Sequence, residues 1–345
     1  MARRHWRQLW PDDPASHPFP YRLNPHLDDI RAPLLDWAIE IGIAPAGELT
    51  SAAFTAVDYA AYPAWIYPSA NKDELLLVAQ WMTWFFLFDN HLDEQPVGEL
   101  SAATFALLND INKIITTGPV APLDAKTTTS PYAIALIDLW NRSRCLYRNC
   151  GWERRYENAF ADYQRCQQWE QATRATRHQL DFQTYVENKR CSAASQLGNM
   201  FVELFVDHPV PDAALDSHLL RTARHIAGDV IHLATDVLSS ERETNFEPIP
   251  NALTALAYTL QTDNDQVERL FTMLWQARTQ IFHNISTDLP TLMQTTGHNL
   301  RHLPTIRAYL DDLRLWMGGN MHWIDSTPRY NPAYNIEVPP RSRTG

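Results

Sequence analysis

The chain has 345 residues, 45% hydrophobic and 20% charged, enough on length alone for one large domain or two ordinary ones with a substantial core. A formal net charge of −11 argues against nucleic acid as the main partner, because a phosphate-backbone surface needs a basic excess. A small anionic substrate remains compatible with that charge, held by a few local cations or by metal ions on carboxylates.

The basic opening MARRHWRQLW lacks an apolar h-region, and the most apolar run, Trp81–Phe88, is far short of the ~18 residues of a membrane span. A cytoplasmic protein without stable membrane insertion is therefore expected. Cys145, Cys150, Cys166 and Cys191 match no zinc spacing and read as thiols in a reducing compartment.

Residues 1–30, rich in proline, aromatic and polar side chains, suit an extended strap on a helical body rather than a helix. From Leu27–Ile41 onward, apolar residues recur three and four apart, the helical period. The same period predicts helices over Asp73–Asp89, Tyr132–Cys150, Trp152–Arg177, Phe182–Phe205, Leu219–Ser239, Asp265–Ser286 and Asn299–Met317. Loops are expected over Thr116–Pro131, His208–Asp212 and Asn245–Asn251. Eleven glycines, no sustained apolar–polar alternation, no internal repeat and no linker point to an all-α fold. One helical domain is expected over residues 1–345, with 331–345 a flexible tail.

Two constellations carry chemistry. In WMTWFFLFDNHLDEQP, Asp89 and Asp93 are four residues apart, within about 40° on one helix face, with Glu94 beside them. Carboxylates so placed share or bridge hard divalent cations, which complete their shells with phosphate oxygens. Carboxylates at a helix C-terminus also oppose the macrodipole, which suits a bound cation. The second constellation, TDVLSSERE, sets Thr235, Ser239 and Glu243 at i, i+4 and i+8, an all-oxygen stripe suited to one Mg²⁺. Arg242 lies beside it, in reach of a phosphate oxygen.

These residues resemble the class I terpene synthases of bacterial and fungal type. Asp89-Asn90-His91-Leu92-Asp93-Glu94 is similar to the family's DDxx(D/x)E motif, and Thr235–Glu243 to its NDxxSxx(K/R)E motif in register. Tyr185–Ala193 resembles the segment that carries the family's diphosphate-sensing arginine, with Lys189 on the sensor position, and WMGGNMHWIDSTPRY ends in the Arg329-Tyr330 pair. Further likeness over Asn24–Trp37, around YPSANKDELLLVAQ and over Gly151–Glu170 extends the resemblance to nearly the whole chain. Three positions depart from the pattern: Asn90 for an aspartate, Thr235 for an asparagine, and Lys189 for the sensor arginine, a point charge in place of a fork.

The resemblance implies a helical bundle around an apolar cavity, acting on an isoprenyl diphosphate with three Mg²⁺ ions, for which Mn²⁺ substitutes. Asp89, with Asp93 or Glu94, would hold two ions, and Thr235, Ser239 and Glu243 the third. Lys189, Arg190, Arg242, Arg329 and Tyr330 would contact the diphosphate, and Trp81, Phe85, Phe86 and Trp316 are the expected aromatic wall. Farnesyl diphosphate and a sesquiterpene product are expected, from a monomer or homodimer. Geranyl diphosphate as substrate and a catalytically weak isoprenoid-binding protein stand as alternatives. A chain-elongating prenyltransferase would carry a second aspartate-rich motif, whereas Asp229 and Asp236 have the wrong spacing for one.

Overall fold

The computed structural model describes residues 2–93, 102–116, 130–147, 150–176, 178–205, 209–243 and 251–328. These residues form sixteen α-helices and short 3₁₀ turns, with no strand among them, so the all-α expectation holds. Among the described residues the chain forms two compact units, one drawn from 23–175 with 327–328 and the other from 2–22 with 176–326.

The Leu23–Ala175 unit contains α2 (Leu27–Glu40), α3 (Glu48–Val57), α4 (Ala61–Ile66), α5 (Lys72–Asp93), α6 (Ala102–Thr116), α7 (Pro131–Tyr147) and α8 (Cys150–Thr176). Helix α5 packs on α2, α4 and α7. A capping box starts it: Asn71 Oδ1 accepts from the N–H groups of Asp73 and Glu74 at 3.0 and 3.1 Å, while Glu74 Oε2 accepts from Asn71 N–H at 2.9 Å. Its apolar face enters an aromatic core of Trp81, Trp84, Phe88, Trp140, Trp152, Tyr156 and Phe160, all fully buried. Such side chains dominate core energetics through the area each removes from water. Helices α3 and α4 escape periodicity because alanine and threonine fill much of their buried faces, as Thr50 and Ala53 do in α3.

In the other unit lie α1 (Ala2–Leu9), α9 (Phe182–Ser192), α10 (Ser195–Met200), α11 (Asp212–Leu215), α12 (His218–Glu243), α13 (Ala252–Leu260), α14 (Asn264–Thr287), α15 (Leu289–Thr295) and α16 (Leu303–Ser326). Helix α12 is central, packed by α1, α9, α10, α13, α14 and α16.

The N-terminus corrects the strap expectation in part. Residues 2–9 are helical, because Trp6, Leu9 and Trp10 recur at the helical spacing and are buried together. Trp6 Nε1 donates to Asp325 Oδ1 at 2.8 Å, and Arg7 adds a bond to Asp325 Oδ2 at 3.0 Å. After α1 the chain runs largely extended, broken by a 3₁₀ turn at Pro14–Ser16, and Phe19 is fully buried. The Pro20 carbonyl passes so close to Gly318 of α16 that a Cβ there would stand 1.9 Å from its oxygen. Only glycine admits that approach.

A second correction concerns Phe182–Phe205, expected as one helix. Ala194 takes a left-handed conformation, φ 55°, and divides the segment into α9 and α10. Gly228 of α12 makes room for the resulting kink: a Cβ there would lie 2.9 Å from both Ser195 Oγ and Gln196 Nε2.

Candidate active site

The acidic end of α5 is fixed by aromatic and backbone contacts. Trp84 Nε1 donates to the Tyr132 carbonyl at 2.9 Å, and the Tyr132 hydroxyl donates back to the Leu87 carbonyl at 3.1 Å. Phe88 stacks on Trp84 at 4.7 Å between ring centroids. These bonds to α7 hold the last turns of α5, where Asp89 and Asn90 are half-buried. His91 is half-buried as well, and burial lowers its pKa. Glu94 and the side chain of Asp93 lie outside the described residues.

Of the expected aromatic wall, Trp81 is fully buried, donates Nε1–H to Ser143 Oγ at 2.9 Å and stacks with Phe85 at 5.9 Å. Phe86 is half-buried, its ring 5.9 Å from Tyr59 and 5.2 Å from Tyr62. Trp316, on α16 of the other unit, is buried, and its indole N–H has no partner among the described residues.

On α12, Thr235 is half-buried and Ser239 buried. The Thr235 hydroxyl donates to the Ile231 carbonyl at 3.0 Å, which uses its proton and leaves the oxygen lone pairs for a cation. The side chains of Arg242 and Glu243, together with Arg329 and Tyr330, lie outside the described residues.

The neighbouring face of α12 is bonded to the frame. Asp236 is buried; its Oδ2 accepts from the Tyr185 hydroxyl at 2.5 Å and from Ala252 N–H at 3.0 Å, at the start of α13. Asp229, almost fully buried, takes a fork from Arg190, Nε to Oδ1 at 2.5 Å and Nη2 to Oδ2 at 2.7 Å. Arg278 of α14 adds Nε to Oδ2 at 3.0 Å. Burial pushes the Asp229 pKa up, but the hydrogen bond from Arg190 and the surrounding positive charges outweigh it, and the net shift is downward. Arg190 is raised, mainly by its bond to Asp229.

The structure thus gives the two cations expected at residues 189 and 190 different surroundings. Arg190 is committed to Asp229, while Lys189 is half-buried on α9, near enough to His232 to act on its charge. His232 is absent from the sequence expectation, although it lies three residues before Thr235. It is buried, and neither ring nitrogen has a hydrogen-bond partner among the described residues. The available signal was the spacing of Asp229, His232, Asp236 and Ser239 along a single helix.

The oxygen donors of Asp89, Thr235 and Ser239 suit hard divalent cations. Among the described residues no three His, Cys, Asp or Glu side chains group as a ligand cluster. No helix among the described residues is long and apolar enough to cross a membrane.

Comparison with known proteins places this geometry in a family. The model for terpene synthase family 2, C-terminal metal binding, matches residues 80–279, more than half of the chain. Pristinol synthase of Streptomyces pristinaespiralis is 28% identical over 93% of this chain and 87% of its own length. The 10-epi-cubebol synthase of Sorangium cellulosum is 24% identical over 91% of this chain and 96% of its own. Among solved structures, linalool/nerolidol synthase from Streptomyces clavuligerus has a similar fold, with a TM-score of 0.77 at 22% identity, covering 88% of this chain and 98% of that one. Asp89, Lys189, Thr235 and Ser239 all fall within the matched segment, and the chain belongs to the metal-binding terpene synthases of family 2.

Proposed function

We propose that the chain is a Mg²⁺-dependent sesquiterpene synthase that ionises farnesyl diphosphate. The C–O bond breaks heterolytically, and its electron pair leaves with the diphosphate. The C15 cation then folds, and either loses a proton to give a hydrocarbon or takes a water oxygen with loss of a proton to give an alcohol. The observation that carries this reading is the division of labour on α12: Asp229 and Asp236 are bonded to the frame, while Thr235, its proton given to the Ile231 carbonyl, shares the neighbouring face with the Ser239 hydroxyl.

Asp89, with Asp93 or Glu94, would hold two divalent ions, and Thr235, Ser239 and Glu243 a third. Bound there, the ions would neutralise the charge that develops on the departing diphosphate. Lys189, Arg242, Arg329 and Tyr330 would bind its remaining oxygens, while Arg190 acts from behind by fixing α9 against α12. Trp81, Phe85, Phe86 and Trp316 are the aromatic side chains assigned to the cation, which ring faces stabilise by about 2 kcal/mol when desolvated.

Relatives support the choice of a C15 substrate. The (+)-T-muurolol synthase of Roseiflexus castenholzii, named as cyclising (2E,6E)-farnesyl diphosphate, is 22% identical over 93% of this chain. The linalool/nerolidol synthase has also been solved with 2-fluorogeranyl diphosphate. Geranyl diphosphate therefore enters the test. Purified protein is incubated with geranyl, farnesyl or geranylgeranyl diphosphate and Mg²⁺, and products are read by mass spectrometry. A C15 hydrocarbon or alcohol with release of diphosphate is expected. A C10 product as the main one moves the substrate assignment, a longer diphosphate means a prenyltransferase, and no turnover with any of the three refutes the reading.

A further inference from the structure

His232, on α12, is a buried side chain with no hydrogen bond to either of its polar atoms among the described residues. Three residues before Thr235 and seven before Ser239, it lies within about 60° of the first and 20° of the second around the helix axis. Asp236 and Asp229 follow at about 40° and 60° on its other side, so the ring sits between the bonded face and the hydroxyl stripe. It is 3% exposed, and neither Nδ1 nor Nε2 has a hydrogen-bond partner among the described residues.

The nearest carboxylate does not satisfy it. Asp229 Oδ1 stands 3.8 Å from Nε2, beyond hydrogen-bond range, and both Asp229 oxygens already accept from Arg190 and Arg278. A neutral imidazole always carries one N–H, and a buried N–H is normally matched. Burial first, then Lys189, Arg190 and Arg278 acting against Asp229, keep the ring neutral, with a pKa of about 3. Those cations disfavour a metal ion at this ring and favour an anionic acceptor. Lysine supplies a point charge without a directional fork, so a fixed N–H beside Lys189 adds the direction it lacks.

We propose that His232 is a substrate-binding residue that donates its ring N–H to a diphosphate oxygen alongside Lys189. The assignment rests on the diphosphate-ionising reading above.

The test uses the full-length chain and two variants, His232→Leu and His232→Gln. Titration calorimetry measures the affinity for inorganic diphosphate at saturating Mg²⁺. Loss of one hydrogen bond to a charged group predicts about tenfold or more weaker binding in the Leu variant. Gln keeps an N–H donor and is expected to stay within about threefold of wild type. The apo Leu variant melts at or above the wild-type temperature, because it removes an unmatched buried polar group. With farnesyl diphosphate, kcat/KM follows the same order as the diphosphate affinities.

Wild-type affinity in the Leu variant overturns the proposal. So does equal loss in both variants, or a loss accompanied by a lower apo melting temperature, which marks a structural histidine. Wild-type protein that binds no diphosphate with Mg²⁺ refutes the diphosphate-ionising reading itself, and the control arm alone makes that visible.

Discussion

Asp229→Asn removes a single charge from the interior and keeps the side-chain shape. In the native structure that carboxylate holds α9, α12 and α14 together, through the two-bond fork from Arg190 and the third bond from Arg278. Removing one partner of a buried ion pair costs about 3–5 kcal/mol, because the remaining charge is left uncompensated. Here the guanidinium side chains are 24% and 20% exposed, and Asn still accepts one bond, so the lower end, ~3 kcal/mol, applies.

An unfolding entropy of about 2.1 cal/mol/K per residue over 345 residues converts that to a fall of roughly 4 °C in Tm. Urea unfolding followed by circular dichroism at pH 7 measures the free energy, and calorimetry the Tm. Because the folded pKa of Asp229 is depressed, its contribution is present above the unfolded value of about 3.9 and is lost as pH falls through the folded value. The gap between wild type and variant therefore closes in acid. Replacing the whole triad by Asp229→Leu, Arg190→Met and Arg278→Met restores stability to within ~2 kcal/mol of wild type, since no charge is orphaned. A loss below ~1 kcal/mol in Asp229→Asn, or a gap that does not narrow as pH falls below about 3.9, refutes the reasoning.

Asp89→Ala is expected to lower turnover of farnesyl diphosphate by about 100-fold or more while shifting unfolding free energy by under ~0.5 kcal/mol; retained activity removes Asp89 from the metal assignment. Gly318→Ala forces the Pro20 carbonyl away from α16 at a cost of about 1–3 kcal/mol, and limited proteolysis is expected to cut within residues 11–22 faster in the variant than in wild type. From pH 7 to 5.5 the buried neutral His232, facing Asp229, Lys189, Arg190 and Arg278, withdraws about 1.3 kcal/mol of stability. The sign follows from its depressed pKa: the unfolded chain takes up the proton near pH 6.5 and the folded chain does not until about 3. Burial lowers His225, His283 and His322 in the same direction, so the comparison is wild type against His232→Leu, whose stability curve should be flatter by that amount.

Periodicity finds an element when large apolar residues mark one face. Helices α5, α12 and α14 obey this, and their ends fall within a few residues of the expected ones. It fails where the buried face is small or the segment opens the chain. Helix α1 was hidden by the arginines at 3, 4 and 7 around Trp6, and α13 by alanines such as Ala252 and Ala255. The break at Ala194 has no composition signal, because alanine is a helix former and its left-handed backbone is set by the packing of Ser195 and Gln196 at Gly228. The spacing of Thr235 and Ser239 was legible because one helix carries both. The Arg190–Asp229–Arg278 triad was not, because its members are 39 and 49 residues apart and come from three helices.

That difference bears on how α12 is built. Asp229 and Asp236 are seven residues apart, within about 20° around the axis, and face about 100–120° away from Thr235. Both are acids, and by residue type alone either is a candidate metal ligand. Their protein partners exclude that role: two guanidinium groups hold Asp229, and the Tyr185 hydroxyl and the Ala252 N–H hold Asp236. A carboxylate so bonded anchors a helix, and a hydroxyl with free lone pairs one turn away stays available to a cation. The frame therefore selects the ligand face by using up its competitors. His232 escapes that selection, buried at the border of the two faces without a protein partner among the described residues, which is why a ligand oxygen is the acceptor assigned to it.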